Sequence, residues 1–113
     1  MRPIPKRLLI HRLSVSEMGE KDRWGNAAEG QKKELSFVRI EPSGKIVRGK
    51  DNVEVQLAAT LFYDCLNSRP KGQTFSQGMI LTFMGEKYRV QTVEPLYDGK
   101  KLHHYEIGLV RHG

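Results

Sequence analysis

From Val53 to Cys65 the chain alternates without a break. Val53, Val55, Leu57, Ala59, Leu61, Tyr63 and Cys65 are apolar; Glu54, Gln56, Ala58, Thr60, Phe62 and Asp64 stand between them and are mostly polar. Side chains on a strand point to opposite faces with period two, so this pattern buries one face and wets the other. Val53, Leu57, Leu61 and Cys65 also recur at helical spacing, but a helix would turn Val55 and Tyr63 toward its polar side. The spacing therefore predicts a strand. At about 3.3 Å per residue it would run about 43 Å, far beyond the usual five or six residues. Such a strand must bend, or its Val53 end must project.

The same periodicity marks other strands. Lys6 to Val15 reads as a first strand and Leu35 to Glu41 as a second, ended by Pro42-Ser43-Gly44. Between them, Ser16 to Lys33 is polar and punctuated by Gly19, Gly25 and Gly30, which predicts a long loop or arm. Lys45 to Asn52 is a basic connection containing Ile46 and Val47. Asn67 to Gly72 is a turn-rich break. Met79 to Met84 predicts another strand, and Gly85-Glu86 a type II′ hairpin turn. Tyr88, Val90 and Val93 slip by one position, which predicts a bulge, and Glu94-Pro95 is expected to close that strand. Asp98-Gly99 predicts a further turn before a last strand over His103 to Val110. About six strands without a convincing amphipathic helix predict an all-β fold. The expected form is a single-domain small β-barrel over residues 1–113 with extended loops at 16–33 and 42–53. Val55, Leu57, Leu61, Tyr63, Val90, Tyr105, Ile107 and Leu109 form its expected core.

Composition narrows the function classes. At 113 residues the chain suits one domain, and 38% hydrophobic with 28% charged residues suits a folded chain. No apolar run reaches the roughly 20 residues that span a bilayer, and Leu8-Leu9-Ile10 is too short for a secretory signal. Synthesis in the cytosol without export or membrane contact is expected. A single cysteine, Cys65, excludes an internal disulfide and a thiolate zinc site; its strand position suggests a small buried hydrophobe. The net charge of +6, with Arg2, Lys6, Arg7 and Arg12 ahead of any acid and Lys45, Arg48 and Lys50 clustered later, fits either solvated surface or proximity to a polyanion.

Catalytic chemistry finds little support. There is no G-x-S-x-G and no phosphate-binding G-x-x-x-x-G-K-S/T. His103 and His104 are adjacent on a strand, so their rings are expected on opposite faces, unable to share a metal ion. Spacing leaves open that two of Glu41, Glu54, Asp64, Glu94 and Glu106 meet as a hydrolytic pair, but carboxylates on the wet face of strands are expected to be solvated. The chain is therefore not expected to be an enzyme, nor to carry a cofactor or metal. Trp24, Phe62 and Tyr97 are the aromatic residues expected to be exposed. Phe62 lies on the polar face of the long strand, either under a second packed layer or at a subunit contact. Trp24, in the polar arm, either orders against a neighbour or folds back to cap the barrel.

The opening Met1-Arg-Pro-Ile-Pro-Lys-Arg-Leu-Leu-Ile-His, then Lys21-Asp-Arg-Trp-Gly, Arg39-Ile-Glu-Pro-Ser and Gln56-Leu-Ala-Ala-Thr-Leu-Phe-Tyr-Asp, resemble the small minor capsid proteins of tailed phages and prophages of Gram-positive bacteria. So do Val93-Glu-Pro-Leu-Tyr-Asp and the ending Leu102-His-His-Tyr-Glu-Ile-Gly-Leu-Val, the most specific part. The resemblance spans essentially the whole chain. In size and pattern such proteins are similar to head–tail connector subunits of the stopper class. This implies a structural protein of the virion neck, made in the host cytoplasm and assembled as a ring beside portal, adaptor and tail-side proteins. The ring would retain and pass packaged double-stranded DNA with non-specific contact. In that reading the Pro42–Val53 loop faces the ring axis, with Lys45, Arg48 and Lys50 near DNA phosphates. Ile46 and Val47 would pair with neighbouring copies, and Trp24 and Phe62 would contact other subunits. The alternative from a different class is a stand-alone nucleic-acid-binding barrel of OB or SH3-like type, recognisable by an exposed aromatic platform.

Overall fold

The computed structural model describes residues 2–21, 27–49 and 51–112. Its strands, in chain order, are β1 (His11–Ser16), β2 (Met18–Lys21), β3 (Ala27–Glu29), β4 (Lys33–Pro42), β5 (Ile46–Arg48), β6 (Glu54–Gln56), β7 (Ala59–Asp64), β8 (Ile80–Phe83), β9 (Glu86–Asp98) and β10 (Lys101–Arg111). Six of them close an antiparallel barrel in the order β1-β4-β7-β10-β9-β8, with β8 returning to β1. The protein is thus all-β. The remaining strands form two separate ribbons, β2–β3 and β5–β6. The 16–33 and 42–53 segments therefore carry hairpin strands within what the sequence presents as loops.

The inward stripes of the barrel strands fill its interior. Leu13, Val15, Leu35, Val38, Leu61, Tyr63, Leu81, Val90, Ile107 and Leu109 are buried there. A fully buried side chain of this size contributes about 1.5–3 kcal/mol, so period two on these strands supplies most of the driving force. Tyr105, expected in the core, is half-buried and rests against its edge, with Tyr63 and Phe75. Val55 is also outside the core: it pairs with Val47 in the β5–β6 ribbon.

The predicted strand over 53–65 is corrected. It breaks at Leu57-Ala58, between β6 and β7. The backbone changes partner there. The Leu57 N–H donates to the Lys45 carbonyl at 2.8 Å, whereas the Ala58 N–H donates to the Leu109 carbonyl at 2.8 Å. One half belongs to the ribbon and the other to the barrel, so an unbroken hydrophobic alternation hides a bend. The strand predicted from Lys6 is also corrected. Pro5 accepts from the Leu8 N–H at 2.9 Å and starts a single 3-10 turn over Lys6–Leu8, so β1 begins only at His11.

Two turn features differ from expectation in instructive ways. The hairpin after β8 is present, but its central residues are Met84 and Gly85, both at positive φ (50° and 78°). That is the type I′ turn, not type II′; its twist also matches the flanking strands. Pro95 does not end β9, which continues to Asp98. β8 pairs only with Glu86–Arg89, so near Pro95 the outer edge of β9 needs no N–H donor. The expected bulge is found: Leu109 pairs with Val90 and Gly108 with Thr92, leaving Gln91 as the extra residue.

The long connection from β7 to β8 is held by buried polar groups. Asp64, expected to be solvated, is instead fully buried, as is Ser68. The Asp64 carboxylate accepts from the N–H groups of Leu66 (3.1 Å) and Asn67 (2.8 Å), and the Asp64 N–H donates to Ser68 Oγ at 2.8 Å. The Tyr63 hydroxyl donates to the Pro70 carbonyl and accepts from the Gln73 N–H. Burial pushes its phenol above the usual tyrosine value.

Candidate functional site

Three features decorate the barrel: a strap, a paired-histidine bulge and a projecting ribbon. The strap is the N-terminal segment ahead of β1. The Ile4 N–H donates to Asp64 Oδ1 (2.9 Å), and its carbonyl accepts from Asn67 Nδ2 (2.8 Å). Further along, the Leu8 carbonyl accepts from Arg39 Nη1 at 3.1 Å, and Leu9 is buried. The strap thus crosses the outer face of β4 and β7. Phe62 is half-buried beneath it and lines a groove of about 430 Å³ with Ile4, Leu8, Arg39 and His104. The strap packs over one side of Phe62, and the rest of its ring borders the open groove.

The histidine pair departs from the sequence reading. His103 is an extra residue in β10, since Leu102 pairs with Tyr97 and His104 with Leu96. The bulge swings the adjacent rings onto one side, with Nδ1 atoms 2.7 Å apart. His103 Nε2 lies 2.6 Å from the Arg2 carbonyl, and His104 Nε2 lies 3.0 Å from Glu106 Oε2. The pair therefore joins the strap to the barrel wall. Among the described residues no cluster of three or more potential metal ligands converges. A period-two rule cannot find this contact, because the bulge that creates it carries no sequence signal of its own.

The β5–β6 ribbon grows from the end of the barrel where Pro42 and Leu109 both pair with Ala59. Ile46 pairs with Gln56, Val47 with Val55, and Arg48 with Glu54. Asn52 takes the left-handed conformation (φ 64°), which asparagine tolerates, and its N–H closes the tip onto the Gly49 carbonyl at 2.9 Å. Among the described residues neither ribbon strand has a second partner strand, so both carry an open backbone edge. Ile46 is 59% exposed and Val53 54% exposed. Val47 is half-buried against Val55.

The cations expected to meet DNA are placed as follows. Lys45 Nζ lies 3.7 Å from Glu94, at the foot of the ribbon. Arg48 Nη2 lies 3.0 Å from Glu54, and its Nη1 donates to Asn52 Oδ1 at 3.2 Å. Both pairs are well exposed, so each contributes at most about 1 kcal/mol and readily exchanges its partner. Lys50 and Trp24 lie outside the described residues. Of the other aromatic candidates, Tyr97 is exposed near the far tip of β9. Exposed Phe37 sits on a different strand, at a bulge in β4 where its φ is 53° and Lys6 Nζ lies 4.9 Å from its ring. These two rings stand on separate elements, not together as a stacking platform on one face.

Burial pushes the Cys65 thiol up, with the Asp64 charge adding to it. His11 is lowered by burial and by the Arg39 guanidinium, against an opposing pull from Glu41; its Nδ1 accepts from the Ile40 N–H at 3.0 Å. Cys65, expected to be buried, is half-buried just past the end of β7 and lines a cavity with Leu66 and Leu102. No helix among the described residues is long and apolar enough to cross a membrane.

The described residues thus form a closed barrel to which a strap is fastened through Asp64 and Asn67 and from which a ribbon projects. The minor capsid protein family matches residues 5–109, and the chain belongs to that family. No curated protein matches it. It is accordingly a structural protein of a phage virion.

Proposed function

We propose that the protein is a head–tail connector subunit of the stopper type, assembled as a ring at the virion neck, where it helps retain and pass packaged DNA. The observation that carries this reading is the β5–β6 ribbon. Two strands of three residues each bury too little to be stable alone. This ribbon nevertheless projects from the barrel with both edges open and with Ile46 and Val53 in solvent. Neighbouring copies in a ring meet at the axis by symmetry, and strand addition along these edges would complete the pairing.

In that arrangement Ile46 and Val47 contact neighbouring copies, while Lys45, Arg48 and Lys50 face the phosphates. Their exposed carboxylate partners, Glu94 for Lys45 and Glu54 for Arg48, are exchanged for DNA at little cost. Phe62 and the strap groove, together with Trp24 on the 16–33 arm, meet other subunits or the portal, adaptor and tail-side proteins. The contact with DNA is to backbone phosphates and reads no bases. The test is deletion of Gly44 to Lys50 in the phage. Particles that package DNA but lose it, or fail to eject it, are the expected result. Normal yields of infectious, DNA-filled particles would overturn the channel role.

A further inference from the structure

We propose a second phosphate-binding surface, for the backbone of duplex DNA, at the opposite end of the barrel from the ribbon, formed by Lys71, Lys100, Lys101 and Arg2. The β9–β10 hairpin overshoots its neighbours. β10 leaves β7 at His104, yet continues its pairing with β9 out to Lys101–Asp98. Gly99, at φ 63°, turns the chain there and presents Lys100 and Lys101 beyond the barrel rim. A cavity of about 230 Å³ opens beside this overhang, with Lys71 and Lys101 among its walls. His103 also lines it and holds the Arg2 backbone at its edge, at 2.6 Å.

Cations outnumber carboxylates at this end. Elsewhere among the described residues, Arg12, Arg39, Lys45, Arg48 and Arg111 each face a glutamate, and the cations without one, such as Arg7, Lys33 and Arg89, lie on other elements or, for Arg89, toward the opposite end of β9. Among the described residues Lys71, Lys100 and Arg2 have no carboxylate partner, and Asp98 is the one carboxylate lining the cavity, beside Lys101. Arg2, Lys71, Lys100 and Lys101 are exposed. Four cations against one anion on a projecting rim suit a polyanion. The choice of duplex DNA rests on the virion reading above.

The test measures binding of a fluorescent 20-base-pair duplex to the full chain across a salt series. Each phosphate contact contributes about 0.9 to the slope of log K against log salt. The triple variant Lys71→Gln, Lys100→Gln, Lys101→Gln is expected to flatten that slope by about 2.7. An unchanged thermal melt would show that the barrel stays intact. A slope left unchanged by the triple variant, or no salt-sensitive binding by the wild type at low salt, overturns the proposal. The variant Lys45→Gln, Arg48→Gln separates it from the ribbon reading: a slope lost only there sinks this surface and leaves the ribbon standing.

Discussion

The Leu57 side chain lies directly over the Cα of Gly108: a Cβ built there would stand 2.8 Å from Leu57 Cδ1 and 2.3 Å from Thr92 Oγ1. Leu57 is buried, and it is the hinge residue between the ribbon and the barrel. The missing side chain at Gly108 leaves room for the Thr92 hydroxyl and for the Leu57 side chain at the foot of the ribbon.

Gly108→Ala should therefore displace Leu57 and destabilise the protein by about 1–3 kcal/mol, the usual cost of overpacking a filled site. Urea unfolding measures this. A variant as stable as the wild type would show that this site has room to spare.

Asp64→Ala removes the acceptor of three backbone N–H groups, from Ile4, Leu66 and Asn67. Leaving such donors unpaired costs about 1–3 kcal/mol each where they stay dry, less where water reaches them. The expected loss is about 3 kcal/mol in all, with faster amide exchange from Ile4 to Leu9 as the strap lifts. Retained protection of the strap would contradict its fastening through Asp64.

Acid should weaken the barrel through His11. Its folded pKa is lowered from the usual 6.5 by burial and by Arg39, so the unfolded chain binds the proton more readily. The stability it contributes is present above about pH 6.5 and is lost as pH falls through the window below that value. Protonation also removes the Nδ1 acceptor used by the Ile40 N–H. His11→Asn keeps an acceptor without the titration. The wild type should lose more stability than this variant between pH 7.5 and 5, measured by urea midpoints. Equal losses would exclude His11 as the source.

Cys65 should react slowly with disulfide reagents at neutral pH, because burial and Asp64 both hold its thiol in the protonated form. Reaction with a chromogenic disulfide should accelerate to the free-thiol rate only on denaturation. Fast native reaction would show that the 65–70 connection opens readily.

The sequence made some of this legible and concealed the rest for physical reasons. Alternation found β7 and β10 because Leu61, Tyr63, Ile107 and Leu109 share one buried face. The slip from Val90 to Val93 located a bulge because it changes the parity of inward residues. The break at Leu57 left parity unchanged: Val55 faces a ribbon partner and Leu57 faces Gly108, and both sites accept an apolar side chain. Leu8, Leu9 and Ile10 are apolar and so predict strand over the strap, while the fastening by Asp64 and Asn67 arises some sixty residues away. The meeting of His103 with His104 depended on a bulge that only the pairing of β9 with β10 creates.

The central claim is assembly at the neck, and electron cryomicroscopy of DNA-filled particles tests it most directly. The account predicts a ring of these barrels between portal and tail, with the β5–β6 ribbons converging on the axis and side-chain density from Arg48 toward the DNA. A neck ring built of this barrel with its ribbons pointing outward, or the chain found only in the head shell, would contradict it.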